Sequence, residues 1–288
     1  MNVGYEKAEK GSFVSIAVNG ILFLFKIFAG VVGHSNAMVA DALDTLGDVM
    51  TSAGMIVGFR IAKRPPDADH PYGHGKAESI IAKLLAIFLI LLGIKIAHDS
   101  LHIMLSHKLY VPGKIALVAA VISIAVKLGL FQYMHLLGKR ISSTSMVVYS
   151  WNIASDALSS LAALVGIAGA RLGLPILDPL AGFVLSIFVV RTGLKSFHRA
   201  YDELMDGAQP AAVIEGIRVI TLSNKGVKAI TDIKARKMGL DLVIDMTIEV
   251  DKDMSVENGH RITDVIKNDI LKKIPIAKEI FVHVEPFK

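Results

Sequence analysis

Met38-Val-Ala-Asp-Ala-Leu-Asp-Thr-Leu-Gly-Asp48 places Asp41, Asp44 and Asp48 inside an apolar stretch long enough to cross a membrane. The three carboxylates stand at i, i+3 and i+7, so they fall on one stripe of a helix. Ionisable groups in a bilayer are costly and mark ion or proton pathways, where they pair with one another or line a wet cavity. A second pair, Asn152 and Asp156, recurs in Ser150-Trp-Asn-Ile-Ala-Ser-Asp-Ala-Leu-Ser-Ser160. Taken alone, an Asn-xxx-Asp pair also serves interhelical hydrogen bonding. Facing Asp44 and Asp48, it completes a set of four oxygen-bearing side chains suited to one small divalent cation. Asp41 stands at the edge of this cluster, where it suits a hydrogen-bond acceptor better than a ligand.

The composition agrees with a membrane protein. Of 288 residues, 53% are hydrophobic, which is too many for an ordinary soluble domain. The formal net charge of +5 sits beside apolar segments, so membrane orientation explains it better than nucleic acid. The absence of cysteine excludes disulfides and thiolate metal sites, leaving Asp, Glu, His, Asn, carbonyls and water as ligands. No cleavable signal peptide is expected: Met1–Gly11 is polar and the first apolar run is long enough to span.

Six spans are expected, at Ser12–Gly33, Asn36–Ala62, Ser79–Leu105, Lys114–His135, Met146–Arg171 and Ile176–Arg199. Lys7, Lys10, Lys63, Arg64, Lys76, Lys139, Arg140, Lys195 and Arg199 flank one side, against Lys108, Lys114 and Arg171 on the other. The positive-inside rule then puts both termini in the cytoplasm. From Leu204 the pattern changes. Leu242, Ile244, Met246, Ile248 and Val250 alternate along Asp241–Val250, the period of a half-buried strand. Pro210–Leu222 reads as a helix, Val227–Met238 as a strand, Ser255–Ile274 as a helix closed by Pro275, and Glu279–Glu285 as a last strand. The expected architecture is an α-helical membrane protein, with a six-helix domain over 1–206 and a cytoplasmic α+β domain of order αββαβ over 207–288.

Two further clusters carry metal-ligand types. Asp67, His70 and His74 lie in Pro66-Asp-Ala-Asp-His-Pro-Tyr-Gly-His-Gly-Lys-Ala-Glu78, a glycine-containing turn between spans two and three. His260, His283 and Glu285 are distant in sequence, and an αββαβ fold could bring them near one another or leave them as surface side chains. There is no His-Glu-xx-His, no Gly-x-Ser-x-Gly and no nucleotide-binding loop, so an enzyme is not expected. No organic cofactor is expected either.

Along nearly its whole length the chain resembles the cation diffusion facilitator family. The resemblance is carried by Ala40-Asp-Ala-Leu-Asp-Thr-Leu-Gly-Asp48, His70-Pro-Tyr-Gly-His-Gly-Lys-Ala-Glu78, Ser155-Asp-Ala-Leu-Ser-Ser160, Leu177-Asp-Pro-Leu-Ala-Gly182 and Leu204-Met-Asp206. It implies a homodimeric divalent-metal/proton antiporter in a multi-pass membrane setting, of the kind found in the bacterial inner membrane. The cytoplasmic domain would have a metallochaperone-like fold that dimerises and senses metal. The resemblance puts a transport site on Asp44, Asp48, Asn152 and Asp156, and a second metal site on Asp67, His70 and His74. His260, His283 and Glu285 match part of a binuclear cytoplasmic site, while Thr231 and Thr247 stand where histidines would complete it. Lys76 and Asp206 match a charge pair tying the membrane part to the cytoplasmic domain. Asn152 stands where many zinc-type members carry His, which shifts the donor set toward hard oxygen and toward Mn²⁺ or Fe²⁺ over Zn²⁺. The function implied is export of a divalent transition-metal cation (Zn, Fe or Mn) from the cytoplasm in exchange for protons. Relatives that supply iron to an internal compartment, or a non-transporting metal-sensing or assembly protein with this fold, are the alternatives.

Overall fold

The structure is a computed structural model that describes residues 2–62, 64–106, 109–140, 144–239 and 241–287. Lys63 and Lys108, two of the flanking charges, lie outside the described residues. Six long helices come first: α1 (Asn2–Val32), α2 (Asn36–Ala62), α3 (Ala77–Leu105), α4 (Lys114–Arg140), α5 (Thr144–Arg171) and α6 (Leu177–Leu204). Then follow α7 (Ala211–Leu222), β1 (Val227–Met238), β2 (Asp241–Val250), α8 (Val256–Lys273) and β3 (Ala277–Pro286). This is a helical transmembrane domain followed by an α+β domain of the expected αββαβ order.

Among the described residues, five helices are long and apolar enough to cross a membrane: Phe13–Val32, Ala77–Leu105, Lys114–Arg140, Met146–Arg171 and Leu177–Leu204. Their outer faces carry large exposed apolar side chains, among them Ile21, Leu24, Leu84, Leu91 and Val165. Such a surface is stable against lipid rather than water. The sixth long helix, α2, has 27 residues. At about 1.5 Å rise per residue it is also long enough to span. It carries Asp41, Asp44 and Asp48 in place of apolar residues, and these face inward or lie half-buried.

By its internal contacts the chain forms two compact units, Met1–Gly54 with Leu84–Phe197, and Met55–Lys83 with His198–Lys288. In the first unit the helices meet over small residues. Ala29, Ala37, Ala40, Ala116, Ala119, Ala120 and Ala163 are completely buried, which lets backbones approach closely. The start of α2 is fixed from another helix. Asp178, buried at the start of α6, accepts from Ser35 Oγ at 2.5 Å and from the Asn36 backbone N–H at 2.8 Å. Ser35 in turn accepts from Met38 N at 3.1 Å, so a first-turn donor of α2 has a partner.

In the second unit, β1 and β2 are antiparallel and β2 and β3 parallel, in the order β1-β2-β3. Leu242, Ile244, Met246, Ile248 and Val250 share the face that packs on Ile217 and Ile220 of α7 and Ile266 and Ile270 of α8, as the alternation predicts. Ser255 caps α8 by accepting from Asn258 N at 3.3 Å, and Glu257 and Lys272–Lys273 sit at the ends favoured by the helix dipole. The turn before α3 packs on the end of β1. A Cβ on Gly75 would come within 2.7 Å of Met238 Cγ and 2.9 Å of its carbonyl oxygen, so only glycine fits there.

Candidate metal centre

Helices α2 and α5 bring the expected carboxylates together. Asp44 and Asp48 lie one turn apart on α2, and the Asp48 carboxyl lies close enough to that of Asp156 on α5 for the two to interact. Asp44 lies close enough to Asp156 for their charges to interact. Asn152 stands one turn before Asp156 on α5 and is exposed.

Two lysines that the sequence reading passes over complete this cluster. Lys26 of α1 and Lys127 of α4 are 0% and 1% exposed. Lys26 Nζ lies 2.7 Å from Asp41 Oδ2, and donates to Thr45 Oγ1 at 2.9 Å and Ser160 Oγ at 3.1 Å. Ser160 Oγ donates to Asp41 Oδ1 at 2.8 Å. Asp41 is thus held in a buried ion pair. Lys127 Nζ donates to the Asp156 backbone carbonyl at 3.1 Å. The signal for both was available: a lysine inside an apolar span meets the same rule that singles out Asp44.

The loop cluster is assembled. The ligand atoms of Asp67, His70 and His74 all lie within 4.8 Å of one another. Asp67 Oδ1 accepts from the His70 backbone N–H at 2.7 Å and from Asp69 N at 3.1 Å, while Asp67 Oδ2 is 3.4 Å from His74 Nε2. The His70 backbone donor, with smaller help from its ring and from His74, holds the Asp67 carboxyl below its ordinary range. Gly73 at φ +82 closes the turn that carries His74 back to Asp67.

The cytoplasmic trio is not assembled within one chain. His283 and Glu285 are neighbours on β3, 3.7 Å apart. They occupy the alternate positions to Ile280, Val282 and Val284, which face the core beneath α8. His260 is on α8 and pairs with Asp264 at 3.6 Å. The sheet therefore separates His260 from the other two. Thr247 of β2 pairs in register with His283 and with Asp232 of β1, so a hydroxyl sits where an imidazole would extend the row. Among the described residues, the loop trio is the one set of three or more His, Asp or Glu side chains whose ligand atoms gather within 4.8 Å. Asp44, Asp48 and Asp156 are more open than that.

Lys76 Nζ lies 3.1 Å from Asp206 Oδ1. Asp206 ends α6 at φ +54, with Gly207 N donating to Asp202 O at 2.7 Å, a left-handed helix stop that aspartate tolerates. Arg236 of β1 reaches the other Asp206 oxygen at 3.9 Å. One carboxylate therefore joins the turn before α3, the end of α6 and the sheet.

A family model described as the cation efflux transmembrane domain matches residues 12–205, and one described as the cation efflux protein cytoplasmic domain matches 210–287. The chain is 34% identical to "Metal tolerance protein C1" of Arabidopsis thaliana over 98% of its own length, and spans 63% of that protein. It is 33% identical to "Magnetosome protein MamM" of Magnetospirillum gryphiswaldense, covering 95% of this chain and 86% of the relative. It is 29% identical to "Manganese efflux system protein MneP" of Bacillus subtilis, covering 97% and 96%. With the two matches spanning both domains, and with carboxylates facing each other between α2 and α5, the chain belongs to the cation efflux, or cation diffusion facilitator, family of metal transporters.

Proposed function

We propose that this chain exports a divalent transition-metal cation from the cytoplasm in exchange for protons, using Asp44, Asp48, Asn152 and Asp156. The observation that carries the reading is that Asp48 of α2 and Asp156 of α5, on different helices, lie close enough for their carboxyl groups to interact. Two neighbouring carboxyl groups repel when both are ionised, so a proton held between them relieves the pair. Without metal, the pair stores that proton. A divalent cation arriving from the cytoplasm displaces it and draws Asp44 and the neutral Asn152 oxygen into its shell. Once the site faces outward, protons compete for the same oxygens and release the metal. Ligands must be deprotonated to bind, so binding and coupling share residues.

The donor set is all oxygen, which suits Mn²⁺ or Fe²⁺ better than Zn²⁺. The manganese efflux relative supports the same preference. The positive flanks support a topology with both termini in the cytoplasm, and the chain works as a homodimer through its cytoplasmic domain. The loop trio and the Asp206 junction serve regulation.

The reading is tested with purified protein in proteoliposomes, following metal uptake together with an internal pH dye. Wild-type protein is expected to move metal against protons and to stop when the pH gradient is collapsed. Asp48→Ala and Asp156→Ala are each expected to abolish flux while the protein stays folded and dimeric. Wild-type flux in either variant overturns the site, and metal flux with no proton movement overturns the exchange.

A further inference from the structure

Lys127 has no role among the ligands, yet it is 1% exposed inside a spanning helix and sits on the Asp156 carbonyl at 3.1 Å. Lysine is almost never fully buried without a reason. The ionisable groups around it divide unequally. Lys26 is neutralised by Asp41 at 2.7 Å, and Thr45 and Ser160 fill its other donors. This leaves Asp44, Asp48 and Asp156 against Lys127: three negative charges and one positive when all are ionised. The excess is two negative charges, which one divalent cation cancels. Asn152 adds an oxygen and no charge.

We propose that Lys127 is a specificity-determining residue of the transport site, a tethered ammonium that sets the site's charge to match a divalent cation and rejects a higher charge. The proposal rests on the transport site of Asp44, Asp48, Asn152 and Asp156. Carboxylate sites without a fixed cation favour ions of higher charge, because each added charge gains Coulomb energy from every ligand. In a buried site an unbalanced charge is costly, so a built-in cation shifts the optimum down by one unit. Lys127 reaches the site from α4, outside the ligand helices, so it sets the field without occupying a coordination position.

The test is competition between Tb³⁺ and radioactive Mn²⁺ for full-length protein in detergent. The signal used is the part of Mn²⁺ binding that Asp48→Ala removes, which sets aside the loop and cytoplasmic groups. In wild type, Tb³⁺ is expected to displace this Mn²⁺ no more tightly than Mn²⁺ itself. In Lys127→Gln the Tb³⁺/Mn²⁺ preference is expected to rise by at least about tenfold, the effect of one uncompensated buried charge. Lys127→Arg keeps the charge and is expected to stay within about threefold of wild type. An equal preference in the Gln and Arg variants overturns the proposal. So does a wild-type protein that already favours Tb³⁺ by about tenfold, and that measurement decides the matter if Lys127→Gln does not fold. If Asp48→Ala removes no Mn²⁺ binding, the transport-site assignment fails and takes this proposal with it. The other outcomes leave that assignment standing.

Discussion

Lys26 Nζ lies 2.7 Å from Asp41 Oδ2, with both side chains fully buried and Ser160 bridging to the same carboxylate from α5. The pair fastens α1, α2 and α5 beside the proposed ligands. Removing one member leaves an uncompensated charge in a low-dielectric interior. Lys26→Met or Asp41→Leu is expected to destabilise the folded protein by about 3–5 kcal/mol. The double variant is expected to recover most of that loss. Thermal unfolding of the four proteins in detergent checks this, and single variants as stable as wild type would show that the pair is not what fastens the helices.

Asp67 is not expected to make metal binding at the proposed loop site sensitive to mild acidification. The carboxyl of Asp67 is held below its ordinary range by the His70 backbone N–H. A depressed carboxyl contributes fully above its unfolded value, near 3.9, and the contribution is lost only as pH falls through the lower folded value. Asp67 therefore stays ionised across the range from about pH 5 to 8 in which the protein would be handled. Asp67→Asn is expected to weaken loop binding by a similar factor at pH 6 and pH 7.5. His74→Ala is expected to lower transport rate or its pH response more than affinity at the membrane site. Metal titrations at both pH values, with parallel flux assays, check the two statements.

Much of the fold was legible because it rests on cumulative pattern. Apolar runs declared the long helices, and Leu242 to Val250 declared the core face of β2. Asp44 with Asp48, and Asn152 with Asp156, marked α2 and α5 as the helices whose polar side chains are proposed to form the site. What was not legible is long-range. Asp178 reads as part of a helix start, yet it satisfies donors at the start of α2 from another helix. Lys26 and Lys127 look like interruptions of spans until the third dimension supplies Asp41, Ser160 and Asp156. Spacing also gave no indication that the sheet would come between His260 and His283.

The cytoplasmic domain, made from Gly207 onward, is expected to fold alone, because α7, α8 and the sheet close their own core. It is expected to bind fewer than the two metals of a full binuclear site. His260 lies apart from His283 and Glu285, and Thr247 holds the register position beside His283. Native mass spectrometry of the fragment after metal loading counts the ions directly. Two tightly held metals per protomer would mean that a partner protomer completes the site.

Asn152 decides between a ligand and a packing residue. It stands one turn before Asp156 and is exposed in the single chain, as a ligand reaching toward a cation path would be. An amide neither binds nor releases a proton in the working range, so in the proposed exchange coupling rests on the carboxylates. Asn152→His adds a nitrogen donor, which softens the set and favours Zn²⁺. It also adds a group that changes charge near pH 6.5 in the absence of perturbation. The variant is expected to shift uptake toward Zn²⁺ relative to Mn²⁺ or Fe²⁺. Its transport is expected to depend more steeply on pH between about 6 and 7.5. A residue that only packs between helices would give a less stable protein with the same metal preference. Competitive uptake of zinc and manganese by both proteins across that pH range separates the two. An unchanged ratio with an unchanged pH profile removes Asn152 from the ligand set and leaves the site to the three carboxylates and the ammonium of Lys127.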